Sequence, residues 1–378
     1  MVKKKILVVS RYFYPTITPR SFRTTELVIE FAKQGHEVTL LTFRDSDSHD
    51  KFEQENNINI KDLGKLKFPA ININSGSKIA VIFKRILKRG LKILFEYPDI
   101  EILFKVKRAL KGIEGYDTLI SVAVPYPVHW GVAWSRTKNH PIAKTWVADC
   151  GDPYMGDTTD SFKKIFYFKY IEKWFSRKAD VISIPRIEMK TNFYKEFHQK
   201  IVGIPQGFNF NGVRNINDFI KNSIPTFAFA GTFIPKARDP RELLDYLSHL
   251  SIDYKFVVYT KNPGLLVPYM AKLNNKLEIL NYVPRNELIE TLSKMDFLVN
   301  ISYDPVYQAP SKLIDYSITG RPILNITTPL DTKTIDSFMN GDYENAFQLE
   351  DLDQYRIEKV ASAFLEQAPI RTKLSANV

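Results

Sequence analysis

Cysteine is nearly missing from this chain. Cys150 is the single one, which excludes an intramolecular disulfide framework and fits a reducing compartment. No apolar run approaches the roughly 18 residues that a membrane-spanning helix needs. The opening Met-Val-Lys-Lys-Lys followed by Ile6-Leu-Val-Val-Ser10 imitates a signal peptide only superficially. Its apolar part is too short and runs straight into Arg11-Tyr-Phe-Tyr-Pro15, so it reads as a first buried strand. The expectation is a soluble protein of the cytoplasm, at most peripheral to a membrane. Spaced His or Cys clusters are absent, so no metal site is expected. Signatures of DNA- or RNA-binding modules are absent too, and no aromatic stacking platform accompanies the basic residues. Nucleic acid is therefore not an expected partner.

Positive charge, by contrast, is in excess. A net charge of +11 suggests an anionic partner. Residues 78–111 hold ten Lys or Arg against three Asp or Glu, mixed with Ile, Leu and Phe. Lys84, Lys88 and Lys92, and Arg85 with Arg89, recur at i, i+4, as do Ile82/Ile86 and Phe83/Leu87. This reads as a basic amphipathic helix for an anionic membrane surface. A plain solvated helix face is the alternative.

A length of 378 residues with 44% hydrophobic content favours two domains with real cores. The first half alternates strand and helix signals. Strands are expected at Ile6–Ser10, Val38–Thr42, Thr118–Val122, Lys144–Asp149 and Ala179–Ile184, with helices at Phe22–Gln34, His129–Ser135 and Tyr167–Arg177 between them. The pattern restarts at Thr226–Ala230 and continues through Lys255–Tyr259, Leu277–Tyr282 and Phe297–Ile301. The expected fold class is α/β: two Rossmann-like, doubly wound domains facing each other across a cleft at the carboxyl ends of their sheets. The expected domains are 1–205 and 206–355, with 356–378 a C-terminal helix and tail that can return to the first.

The segment Gln308-Ala-Pro-Ser-Lys-Leu-Ile-Asp-Tyr-Ser-Ile-Thr-Gly-Arg-Pro-Ile-Leu324 carries the chemistry. A helix start offers unpaired N–H groups and a positive dipole end for phosphate. Ser311 and Lys312 add a hydroxyl donor and a cation there, and Asp315, one turn further in, can accept hydrogen bonds from a ribose. Pyrophosphate and ribose together are the shared part of every nucleotide-sugar. An ordinary solvated helix N-terminus is the alternative.

Five segments in order resemble one family. "ILVVSRYFYP" leading to "LVIEFAKQGHEVTLLT" resembles the amino-terminal unit of glycosyltransferase family 4 enzymes of the GT-B fold. "WVADCGDPY" resembles their "WVADFRDPW", and "RKADVIS" with "IVGIPQGFN" resembles the passage between their domains. "VPRNELIETLSKMDFLV" and "PSKLIDYSITGRPIL" resemble segments of their donor domain. The resemblance runs from about Lys5 to about Ile326. It implies a retaining, metal-independent transfer, with a UDP- or GDP-sugar held mainly by the second domain. No cofactor is implied, since the nucleotide-sugar is a substrate. The expected acceptor is a glycan or lipid-linked precursor of a cell-surface polysaccharide, at the inner membrane face. A nucleotide-sugar epimerase of the same fold, or a scaffold that has lost catalysis, are the alternatives.

Carried over by residue, Asp315 matches the second acid of the family's E-x7-E motif, while the first falls at Tyr307. Tyr307 or Gln308 would have to bind the sugar instead. Gly231 matches the glycine ending the donor domain's first strand. The family's next Arg is Thr232 here, and its Lys is best matched by Lys236, less well by Arg238. These cations answer the negative charge that grows on a leaving diphosphate. In the first domain, Arg20 and Arg23 lie in an expected long loop from Tyr14 to Arg23 and can meet a phosphate. Asp149 and Asp152 flank Gly151 at a strand end, where a carboxylate can orient or deprotonate an acceptor hydroxyl. The family's Arg between them is Gly151 here, which would widen the pocket. His129 is a candidate substrate-orienting or structural residue.

Overall fold

The apolar runs become the strands of two separate parallel sheets. The structure is a computed structural model that describes residues 2–73, 77–157, 163–210, 219–235, 238–301 and 310–368. One unit is Met1–Asn209 together with Gln354–Val378, the other Phe210–Asp353.

The first unit opens with β1 (Lys5–Ser10), α1 (Pro19–Lys33), β2 (Glu37–Thr42), α2 (Ser46–Asn56) and β3 (Asn59–Asp62). It continues with α3 (Lys78–Phe95), α4 (Glu101–Ala109), β4 (Tyr116–Ala123), α5 (Pro127–Ser135) and β5 (Ala143–Cys150). Then come α6 (Phe168–Lys178), β6 (Val181–Ile184) and β7 (Ile201–Gly203). The sheet order is β3-β2-β1-β4-β5-β6-β7, paired parallel throughout. Its central strands are buried almost end to end, as a sheet covered by helices on both faces demands. One core layer gathers Leu7, Trp130 and Trp146; the other gathers Ile6, Phe31 and Val147.

α1 begins earlier than its apolar stripe suggests. The Thr18 hydroxyl accepts the Ser21 N–H at 3.1 Å, and Pro19 takes the first helical position, where no N–H is needed. Arg20 and Arg23 are therefore helical, not loop residues. The basic region 78–111 is two helices, separated near Glu96, whose φ is +52°. α4 buries Ile102, Leu103 and Val106, whereas α3 buries nothing.

The second unit runs β8 (Thr226–Ala230), α7 (Arg241–Ser248), β9 (Lys255–Tyr259), α8 (Met270–Leu273), β10 (Leu277–Leu280) and α9 (Arg285–Leu292). β11 (Phe297–Ile301), α10 (Pro310–Ile318), β12 (Ile323–Ile326) and α11 (Thr332–Met339) complete it. Its order is β10-β9-β8-β11-β12, again parallel. Strand order reverses between β1 and β4 in one sheet and between β8 and β11 in the other. Ligands of doubly wound folds bind at such reversals, beyond the carboxyl ends of the strands.

The chain then returns to the first unit. The Ile357 N–H donates to the Phe208 carbonyl at 3.0 Å, and α12 (Ile357–Leu365) sets Ile357, Val360 and Phe364 into the core beside Phe31. Among the described residues, no helix is long and apolar enough to cross a membrane.

Candidate functional site

β8 is followed by Gly231, whose φ of +146° suits glycine alone. A Cβ there would lie 4.0 Å from Lys312 Cδ. α10 is fixed to this strand end by Tyr316, whose hydroxyl accepts the Ala230 N–H at 2.8 Å. Lys312, in the first turn of α10, lays its amine 3.5 Å from the centre of the Phe229 ring and 5.1 Å from that of Tyr316. The amine is buried and has no hydrogen-bond partner among the described residues. Burial first, and then the charge of Arg238, hold its pKa well below the usual lysine value. A buried ammonium without a partner is costly. The helix start and the second cation beside it both favour negative charge at this place.

Asp315 sits one turn further along α10, half-buried, and one of its two oxygens is taken by an arginine. Arg285, the first residue of α9, reaches its Oδ1 through Nε at 2.8 Å and Nη2 at 2.7 Å. Burial pushes the carboxyl of Asp315 up, and the charge and hydrogen bond of Arg285 oppose that only in part. Thr232 is exposed beside Gly231. The backbone of Arg238 pairs with that of Ile234 at 2.7 and 3.2 Å. Lys236, Tyr307 and Gln308 lie outside the described residues, as does the side chain of Ser311.

In the first unit, Arg23 and Asp149 find each other across 126 positions. Nε and Nη2 donate to the two carboxylate oxygens at 2.6 and 2.7 Å, and the side chains are 1% and 0% exposed. Arg23 also donates to the carbonyls of Pro205 at 2.7 Å and Ile204 at 3.0 Å, and the Ser183 hydroxyl donates to Asp149 at 2.8 Å. Burial would raise the Asp149 carboxyl, but the charge and hydrogen bonds of Arg23 outweigh it and leave the pKa low. The pair binds α1 and β5 to the turn after β7. Neither residue offers its charge to a ligand, contrary to the expectation for both.

His129 is likewise a core residue. It is wholly buried, with Nδ1 2.7 Å from Ser121 Oγ and Nε2 3.5 Å from Cys150 Sγ. Burial pushes its pKa down to about 3, so it is neutral near pH 7. A catalytic base must reach its proton, and His129 has no surface from which to do so.

Asp152 differs. It is exposed, on the segment that follows β5, and that segment is pinned. The Tyr126 hydroxyl donates to the Asp152 carbonyl, and Glu172 accepts the Met155 N–H at 3.3 Å. Burial pushes Glu172 up to about 7. Gly151 does not widen a pocket here, because the Arg20 guanidinium lies against it. A Cβ at Gly151 would stand 2.0 Å from Arg20 Cζ. Arg20 Nη1 is buried without a partner among the described residues, and burial lowers the pKa of the group, with Asp149 opposing. A guanidinium from α1 thus fills the space beside Gly151. Sequence reasoning did not single out Arg285, Tyr316 or Tyr126; each acts through a distant partner and leaves no local signal.

No protein-family model and no curated protein sequence matches the chain. Solved structures do. TarM is similar with a TM-score of 0.56 and 10% identity, over 97% of this chain and 95% of that one. A glycosyltransferase from Rickettsia africae ESF-5 is similar at 0.54 and 13%, over 96% and 92%. The lipopolysaccharide outer core galactosyltransferase WaaB is similar at 0.54 and 12%, over 95% and 98%. The chain has the α/β fold of these GT-B glycosyltransferases.

Proposed function

We propose that the protein is a retaining glycosyltransferase. It takes a sugar from a UDP- or GDP-sugar bound by the second unit and passes it to a cell-surface polysaccharide or lipid-linked acceptor bound by the first. The observation that carries this reading is Lys312: a buried amine with no partner among the described residues, at a helix start, beside Gly231 and Arg238. As the bond to the anomeric carbon breaks, negative charge grows on the diphosphate. Cations already in place stabilise it without reorganisation. Lys312, Arg238 and the start of α10 supply that charge in the proposed metal-free reaction. A mutant form of TarM and an α-glucosyltransferase, similar to this chain at TM-scores of 0.53 and 0.51, are both complexes with UDP, which supports the UDP option. Asp152 is the exposed carboxylate that can orient or deprotonate the acceptor hydroxyl. The cations of α3 support a peripheral place at the inner face of an anionic membrane.

The test is a thermal-shift series with UDP, GDP and their sugars on the wild type and Lys312→Ala. A nucleotide at a hundred times its Kd adds about 2.7 kcal/mol of stability, and Lys312→Ala should lose that response. If no nucleotide raises the melting temperature of the wild type, the reading fails. A second reading, a binding protein of this fold without turnover, is favoured by the engagement of Asp315 by Arg285 and of Asp149 by Arg23. Release of free sugar from a bound donor would exclude it.

A further inference from the structure

α3 is an 18-residue helix with no buried residue. Six cations (Lys78, Lys84, Arg85, Lys88, Arg89 and Lys92) and no acid lie along it. At about 100° per residue these cations share one side of the helix. Ile79, Ile82, Phe83, Ile86, Leu87 and Leu94 share the other, all exposed, with Ile79 at 81%. An exposed apolar surface of this extent is an interaction site. Its basic flank selects a partner that is both anionic and apolar, the interface of an anionic bilayer, in which such a helix lies flat.

The attachment of α3 is as informative as its surface. Glu96 caps the helix at φ +52°, a left-handed position where glycine is the unstrained choice. The glutamate there is 4% exposed, accepts the Tyr154 hydroxyl at 2.9 Å and pairs with Lys164. Tyr154 lies two residues beyond Asp152, with its ring centre 4.8 Å from that of Tyr126 and 5.5 Å from that of Trp130. Just past Glu96, Asp99 pairs with Arg11, which follows β1. The carboxyl end of α3 is thus tied to the segments that follow β1 and β5.

We infer that α3 lies in the interface of an anionic bilayer, and that Glu96, through Tyr154, lets this docking fix the Asp152 segment in place. The inference rests on the reading of Asp152 as the acceptor-side carboxylate. It narrows the acceptor to one whose reacting hydroxyl lies at headgroup level. Glu96 and Tyr154 are positioning residues.

The experiment combines vesicle sedimentation with hydrogen exchange of residues 152–157 in the full chain, for wild type, Glu96→Gly and Tyr154→Phe. Glu96→Gly suits the left-handed backbone and so retains the fold, while Tyr154→Phe keeps the ring. On vesicles of mixed phosphatidylglycerol and phosphatidylcholine, exchange in wild type should slow by about tenfold, which corresponds to about 1.4 kcal/mol. Both variants should sediment as wild type does but show no slowing. Equal slowing in all three, or sedimentation of wild type without slowing, overturns the coupling and leaves the docking. Failure of wild type to sediment, or a concentration-dependent dimer that covers α3, overturns both. None of these outcomes bears on nucleotide binding, so the donor reading stands or falls separately.

Discussion

Each unit buries a cation, and the two are treated in opposite ways. Arg23 has four of the five N–H groups of its guanidinium answered, by two carboxylate oxygens and two carbonyls, and the ring of Phe364 lies 5.2 Å away. Lys312 has two aromatic faces and, among the described residues, nothing that accepts a hydrogen bond. Both stand at the carboxyl end of the strands of a doubly wound sheet, and from residue type alone both are candidates for an anion. The difference teaches that burial does not mark a functional cation. An unanswered donor atom is the feature that separates Lys312 from Arg23, and Arg20 shares it at Nη1. Arg23 is answered within the protein and serves its stability; Lys312 lowers stability, and in the proposed function it meets the donor diphosphate.

The largest effect should come from breaking the complete pair. Arg23→Ala leaves Asp149 charged, buried and alone, and should cost about 3–5 kcal/mol in urea denaturation at pH 7. Because the Asp149 pKa is held below its ordinary value, the stability it contributes is present above about pH 4. It is lost as pH falls through the folded-state value, so the deficit of the variant should shrink in acid. A deficit that is constant down to about pH 2 would mean that the pair is not the source.

Lys312→Met should do the reverse. Removing an unpartnered buried amine should raise stability at pH 7 by about 1–3 kcal/mol while abolishing the nucleotide response. The folded-state pKa of Lys312 is lowered. The penalty for holding it is therefore full below that value and fades as pH rises toward the unfolded value, so the gain from methionine should shrink at high pH. A bound anion favours the charged form, so nucleotide binding should raise the folded-state pKa of Lys312. Destabilisation by methionine would erase the contrast with Arg23.

Asp315→Asn sharpens the comparison at a site between these extremes, a half-answered carboxylate. It should weaken nucleotide binding by about 1–3 kcal/mol, the scale of a hydrogen bond to a charged group, as titration calorimetry would register. Unchanged affinity in the folded variant would remove Asp315 from the site. The smallest effect is expected at Gly151→Ala. The new methyl group must displace Arg20, but a guanidinium at the end of a flexible side chain can move, so stability should change by less than about 1 kcal/mol. Adding Arg20→Ala should cancel the change, and additive losses would show that the two do not meet.

Legibility in the sequence followed the range of the interaction. β8, β9 and β11 were readable to the residue, because each is a short apolar run between turn signals. β3 and β7 were not: Asn59-Ile-Lys-Asp62 buries only Ile60, and Ile201-Val-Gly203 is three residues long. The approach of Lys312 to Gly231 followed from an ordered pair of motifs. The partners that decide what neighbouring residues can do, Asp149 for Arg23 and Arg285 for Asp315, are set by tertiary contact and have no periodicity to betray them. Arg20 was the nearest miss, since Thr18-Pro19 is a helix start that places it on the first turn of α1, against Gly151.

The return of α12 to the first unit bears on the order in which the molecule can be finished during synthesis. The second unit is an uninterrupted stretch, 210–353, and can close its core as soon as it has left the ribosome. The first unit, most of which precedes that stretch, lacks Ile357, Val360 and Phe364 until the second unit has been made. Until then, the apolar side of α1 around Phe31 stays uncovered. The half of the protein translated first is completed last, and that interval is its period of greatest exposure to misassembly.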